Sequence, residues 1–248
     1  MPALPAALRI PLSPPQAVSE TDATLWPAGA SDGQAAVILA HGAGADQTWP
    51  MLRAIAAGLA ADHPVLTFNF AYAQAGRRRP DPAPRLAAAW RDVIAGARDR
   101  LGAERPLVIG GRSMGGRIAS LLAAQGVRGS PPANQGVKGS PPANQGMSCA
   151  GLLLLGYPLH PAGRPEQLRT AHWPALRMPI LFVQGDRDAL CRTDLLARER
   201  AAHLGHVRSD LHVLAGGDHS FKVRGRSQDA VVAEIVSVAT AWLASLPR

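Results

Sequence analysis

The sequence predicts an α/β fold, a mainly parallel sheet flanked by helices, on three observations. Short continuous apolar runs recur along the chain, longer stretches with helical spacing separate them, and a glycine-rich turn joins one run directly to one helix. Continuous apolar runs suit strands buried on both faces, as in a parallel sheet between two helix layers. With 248 residues, 47% hydrophobic and 18% charged, the chain can bury a substantial core. A single domain over residues 1–248 is expected.

Residues 1–30 are proline-rich and weakly patterned, and read as one or two short antiparallel edge strands. Strands are then expected at 35–40, 65–72, 107–109, 152–155, 180–183 and 211–214. Helical spacing covers 51–61 and 86–101, where Leu86, Trp90, Val93, Ile94 and Ala97 form one stripe. A helix opening at Met114 runs through 118–124, and Thr193 or Asp194 can cap another running to about Leu204. The last helix carries Val231, Val232, Ile235, Val236, Ala239, Trp242, Leu243 and Leu246. Residues 126–135 and 136–145 read GVRGSPPANQ and GVKGSPPANQ. This tandem repeat buries too little apolar surface to offset chain entropy, so 126–148 is expected to be a flexible insertion. Lying between a helix and the next strand, it belongs at the sheet's amino-terminal edge. Ligands of open α/β sheets bind at the opposite, carboxyl edge.

The net charge of +8 is almost wholly arginine, since Lys138 and Lys222 are the only lysines. The arginines are scattered, without a zinc finger, recognition helix or aromatic RNA-binding signature, so no nucleic-acid partner is expected. No apolar run approaches about 18 residues, and residues 1–10 lack the basic and apolar regions of a signal peptide. Cys149 and Cys191 have no metal-ligand or redox spacing, which fits two reduced thiols in a cytoplasmic protein.

Residues 110–116 read GGRSMGG, and within them 111–115 match G-x-S-x-G. In a strand–turn–helix setting this pattern places Ser113 on a sharp, strained turn. Side chains two residues before and after the serine would collide, so Gly111 and Gly115 are needed. The helix amino terminus then faces the point where negative charge develops. Two phosphate-loop readings fail. Gly116 is followed by Arg117 and Ile118 rather than Lys-Ser or Lys-Thr, and residues 42–47 end in Gln47 where a dinucleotide fingerprint needs Gly or Ala.

The loop after the first strong strand, HGAGA at 41–45, can supply a backbone N–H to an oxyanion hole. Ala43 is the favoured donor there, Gly42 the next, and the amide of Met114 the second donor. The strand at 180–183 leads into QGDRD, which offers two carboxylates. Asp188 reaches further toward a histidine and is preferred as the acid; Asp186 is the alternative, or a turn-stabilising side chain. Of eight histidines, His219 stands apart, in GGDHSF between the last strand and the last helix. His41 reads as structural, and His63, His203, His206 and His212 lie in helix ends, loops or a strand. The chain order Ser113, Asp188, His219 is the one an α/β-hydrolase uses.

Together HGAGA at 41–45, GGRSMGGR at 110–117, GYPLHP at 156–161, GDRD at 185–188 and GGDHSFK at 216–222 resemble bacterial α/β-hydrolases. The similarity is to the group that includes relatives of testis-expressed protein 30 and NSL-complex subunit 3, and more broadly to dienelactone hydrolases. It extends from about Thr24 to Leu246. The resemblance implies an α/β-hydrolase fold and a Ser–Asp–His triad, and it names no substrate. The repeat departs from the family pattern as an insertion. Some eukaryotic relatives are chromatin-complex scaffolds, so a non-catalytic binding protein is the competing reading.

The expected activity is that of a serine hydrolase cleaving small or openly accessible ester substrates through an acyl-enzyme, with no metal or organic cofactor. Residues 158–178 leave room for one short helix rather than a lid domain. Trp49, Tyr72, Tyr157 and Trp173 are candidate cleft walls. Arg77, Arg78 and Arg79 lie on the same side, as a solvated basic loop or a contact for an anionic substrate. Deleting residues 136–145 is expected to leave ester turnover within about twofold of the full chain. A large loss in a well-folded deletion protein would refute the insertion's placement.

Overall fold

The computed structural model describes residues 4–29, 35–102, 105–126 and 149–247. The tandem repeat lies outside the described residues. The residues flanking it, Gly126 after a helix and Cys149 opening a strand, are at the sheet's amino-terminal edge.

Eight strands form one sheet among the described residues: β1 (Ala6–Pro11), β2 (Glu20–Trp26), β3 (Ala36–Ala40), β4 (Val65–Phe68), β5 (Leu107–Arg112), β6 (Cys149–Leu155), β7 (Ile180–Gly185) and β8 (Ser209–Leu214). Their order is β1-β2-β4-β3-β5-β6-β7-β8. β1 pairs antiparallel with β2, and β2 antiparallel with β4, while every pair from β4 to β8 is parallel. The helices are α1 (Pro50–Leu59), α2 (Ala71–Gln74), α3 (Ala83–Leu101), α4 (Met114–Ala124), α5 (Thr193–His203) and α6 (Gln228–Ala244).

The strands alternate between two cores. Ile38, Ile180 and Phe182 point to one face, where they meet Trp90 and Ile94 of α3, Ile118 and Leu122 of α4 and Leu196 of α5. Val37, Leu39, Leu181 and Val183 point to the other, against Leu52 and Ile55 of α1 and Ile235 and Trp242 of α6. Both faces being buried explains why these strands read as unbroken apolar runs. No helix among the described residues is long and apolar enough to cross a membrane.

Two expectations are corrected. The run 65–72 leaves the sheet at Phe68, and Tyr72 belongs to α2. Here the Asn69 carbonyl accepts from Thr21 Oγ1 and the Phe70 amide donates to His41 Nε2, so polar partners take the backbone out of the ladder. Neither Thr193 nor Asp194 caps α5; Arg192 is the N-cap, and Asp194 sits in the first turn, ion-paired with it. The edge-strand expectation for the first residues holds, with two antiparallel strands. Trp90, fully buried and edge-on to Phe68 at 4.8 Å, anchors α3 to the sheet. Trp90→Ala is expected to cost about 3–5 kcal/mol, read from the denaturant midpoint.

Candidate active site

The site forms where β3, β5, β6, β7 and β8 end. β5 passes into α4 through Ser113, whose φ of 49° and ψ of −116° lie in a region that side chains seldom adopt. Its amide donates to the Leu155 carbonyl at 2.8 Å, and its carbonyl accepts from Arg117 at 3.0 Å. The flanking glycines are required, though the collision they avoid is with β3. A Cβ at Gly111 would lie 2.1 Å from the Ala40 carbonyl oxygen, and one at Gly115 would lie 2.6 Å from the carbonyl oxygens of Ala40 and His41. This close approach brings the serine, the start of α4 and the HGAGA loop together.

The loops after β7 and β8 are stitched to each other. Asp186 Oδ1 accepts from the Gly216 amide at 2.7 Å, and the Arg187 amide donates to the Gly217 carbonyl at 2.9 Å. A Cβ on Gly185 would fall 2.2 Å from the Gly217 carbonyl oxygen, so only glycine permits the contact. Within the β8–α6 loop, Asp218 Oδ1 accepts from the amides of Ser220 and Lys222, and Phe221, at φ 59°, plugs into the core. His219 stands at the tip of this closed turn.

The result is a continuous chain of hydrogen bonds. His219 Nε2 lies 2.9 Å from Ser113 Oγ, and Nδ1 lies 2.7 Å from Asp188 Oδ2. With Nδ1–H donating to the carboxylate, Nε2 is free to accept from the serine hydroxyl. Asp188 is held from two further sides: Gln184 Nε2 donates to Oδ2 at 2.6 Å, and the Leu190 amide to Oδ1 at 2.7 Å. Asp186 turns away and serves the turn instead. Gln184 has no part in the sequence expectations, although a polar residue ending the apolar run of β7 is a readable sign.

The β3–α1 loop is braced by a buried neutral imidazole. His41 Nδ1 donates to the Gly42 carbonyl at 2.8 Å, while Nε2 accepts from Phe70. Burial pushes its pKa down to about 4, against the opposing effects of that hydrogen bond and of Asp46. Gln47 is buried, its amide donating to Asn69 Oδ1 and its side-chain oxygen accepting from Thr67. Gly42 is buried beneath this bracing, whereas Ala43 is exposed. Among the described residues, neither the Ala43 amide nor the Met114 amide has a hydrogen-bond acceptor.

Three of the four aromatic wall candidates are corrected. Tyr72, Tyr157 and Trp173 are fully buried core residues, the last two packed with Phe182; Trp49 alone is partly exposed. Arg77 pairs with Asp81 at 2.9 Å, and Arg78 and Arg79 are exposed. The β6–β7 connection is anchored by the buried Leu159, Trp173 and Leu176, and by His160, which accepts from the Arg192 amide.

A family model described as an alpha/beta hydrolase domain matches residues 33–245. The chain belongs to the alpha/beta hydrolase family. This alpha/beta hydrolase resembles solved structures over nearly its whole length. One is an alpha-beta serine hydrolase homologue from Coxiella burnetii, 14% identical, with a TM-score of 0.70 over 96% of this chain and 97% of that one. Another is an a/b serine hydrolase without lid from Xanthomonas campestris, at 17% identity and TM-score 0.69, covering 100% and 99%. A dienelactone hydrolase from Anabaena variabilis gives 17% and 0.65 over 99% and 100%. At these identities the likeness is one of fold, and among the described residues of this hydrolase the β6–β7 connection carries one 3-10 turn, Trp173–Ala175, rather than a large lid.

His41 makes the hydrolase acid-sensitive. Its folded-state pKa, about 4, lies below the 6.5 of an unperturbed imidazole, so the unfolded chain binds the proton first. Stability is therefore full above pH 6.5 and falls as pH drops toward 4, by about 3 kcal/mol from this group. Urea unfolding at pH 7 and 4.5 should show a shallower decline for His41→Gln than for the wild type; equal declines would count against this.

Proposed function

We propose that this chain is a serine hydrolase acting on small or openly accessible ester substrates, with Ser113 as nucleophile, His219 as base and Asp188 as the acid that orients it. The observation that carries the reading is the 2.9 Å approach of His219 Nε2 to Ser113 Oγ, backed by Asp188 at 2.7 Å from Nδ1. Family membership and the fold shared with proteins named serine hydrolases and dienelactone hydrolase support it.

In this mechanism His219 removes the hydroxyl proton as Ser113 attacks the ester carbonyl. The resulting imidazolium is stabilised by Asp188, which carries no proton itself. The amides of Ala43 and Met114, at the start of α4, receive the oxyanion; a missing donor of this kind costs about 10²–10³ in turnover. The imidazolium passes its proton to the departing alcohol. Water, deprotonated by His219, then cleaves the acyl-enzyme and restores the serine. No metal or organic cofactor takes part.

A fluorophosphonate probe is expected to label the wild type at Ser113 and to leave Ser113→Ala unlabelled and inactive toward p-nitrophenyl esters. Absence of labelling in the folded wild type would favour a non-catalytic binding protein. Asp188→Asn should lower turnover by about 10³–10⁴-fold, because an amide no longer fixes the imidazole tautomer. Asp186→Asn should change turnover less than tenfold while lowering the unfolding midpoint. Reversal of these two effects would exchange the acid assignment.

A further inference from the structure

The residue before the nucleophile is an arginine, and the acyl-transfer steps give it nothing to do. Its side chain nevertheless runs through the middle of the site. The guanidinium carbon of Arg112 lies 4.3 Å from the centre of the Trp49 ring, in the loop that opens α1. Nη2 lies 3.4 Å from the His219 carbonyl oxygen and 3.3 Å from Ser220 Oγ, both in the base loop. Nη1 occupies the space beside Gly42, 2.7 Å from where a Cβ would stand. One side chain thus spans from the serine turn, through its own backbone, to the HGAGA loop and the base loop.

The cost of this placement is visible. Arg112 is half-buried, no carboxylate pairs with it among the described residues, and its Nε is buried without a partner. Desolvation lowers its pKa against the pull of Asp188 and Asp218. No salt bridge holds this half-buried cation; the Trp49 ring and the two base-loop oxygens do. A planar group that lies over an indole while one of its nitrogens, Nη2, reaches two oxygens is what the space requires.

We propose that Arg112 is a positioning residue: by clamping the His219 carbonyl and the Ser220 hydroxyl against Trp49 and Gly42, its guanidinium sets the imidazole at proton-transfer distance from Ser113. Its effect on turnover rests on the hydrolase reading; its effect on the base loop does not. Misplacing a reacting group by a fraction of an ångström already lowers rates severalfold or more.

The test uses the full chain with Arg112→Met, Arg112→Ala and Arg112→Lys. With p-nitrophenyl acetate, kcat is expected to fall at least about tenfold in the two neutral variants while KM changes less than about threefold. Arg112→Lys should recover little of the loss, because a compact ammonium cannot both lie flat on the Trp49 ring and reach the two base-loop oxygens. Added ethylguanidinium should restore part of kcat in Arg112→Ala and none in the wild type. The His219 Nδ1–H proton resonance, which needs no turnover, should shift or broaden in every variant. A folded neutral variant with kcat within twofold of the wild type overturns the proposal, as does an unchanged Nδ1–H resonance. Should the neutral variants fail to fold, Arg112→Lys decides alone, and near-wild-type turnover in it overturns the clamp. If the wild type neither hydrolyses the ester nor takes up fluorophosphonate, the hydrolase reading fails and the resonance still judges the clamp.

Discussion

Strand β5 must reverse into helix α4 within a single residue, and Ser113 makes that reversal at φ 49°. A backbone placed there is strained by about 1–3 kcal/mol and persists only because its neighbours fix it. Here the fixing is done by the bond to Leu155, by the first turn of α4, and by the press of that turn against the end of β3. The glycines around the serine follow from this packing. So does the position of the serine hydroxyl at the sheet's carboxyl edge, since a straight continuation of the strand would carry the side chain into one of the two cores.

The other half of the site depends on a different device. Asp188 and His219 follow separate strands, and each alone would be an ordinary loop residue. The adjacency of β7 and β8, the Asp186–Gly216 bond and the bare α-carbon of Gly185 pull their loops into one unit. Asp186 thus serves the site without entering it: it ties the base loop to the acid loop so that a neighbouring carboxylate meets the imidazole.

Much of this is legible in the amino-acid order. The five buried strands β3 to β7 announce themselves because a two-sided core demands unbroken apolar runs, and the serine turn does so because only glycine tolerates its contacts. What escapes is decided by partners distant in sequence. Nothing local to residues 65–72 says that His41 will capture the Phe70 amide and end the strand. Nothing local to Tyr157 or Trp173 separates a cleft wall from a core aromatic, because each choice depends on how the β6–β7 connection settles. Arg112 belongs to the same class, a polar side chain whose use is defined by Trp49, His219 and Ser220, all remote from it along the chain.

That β6–β7 connection has a further bearing on reactivity. Its one helical element among the described residues is the turn Trp173–Ala175, and Leu159, Trp173 and Leu176 bury into the core, so it builds no lid domain. Enzymes that close over a bound ester gain by shedding solvent around the developing charge. Without such a domain, the proposed hydrolase has to stabilise that charge by rigid dipoles set in advance. Any selectivity it has among esters then falls to the handful of strand-end loops rather than to an added domain.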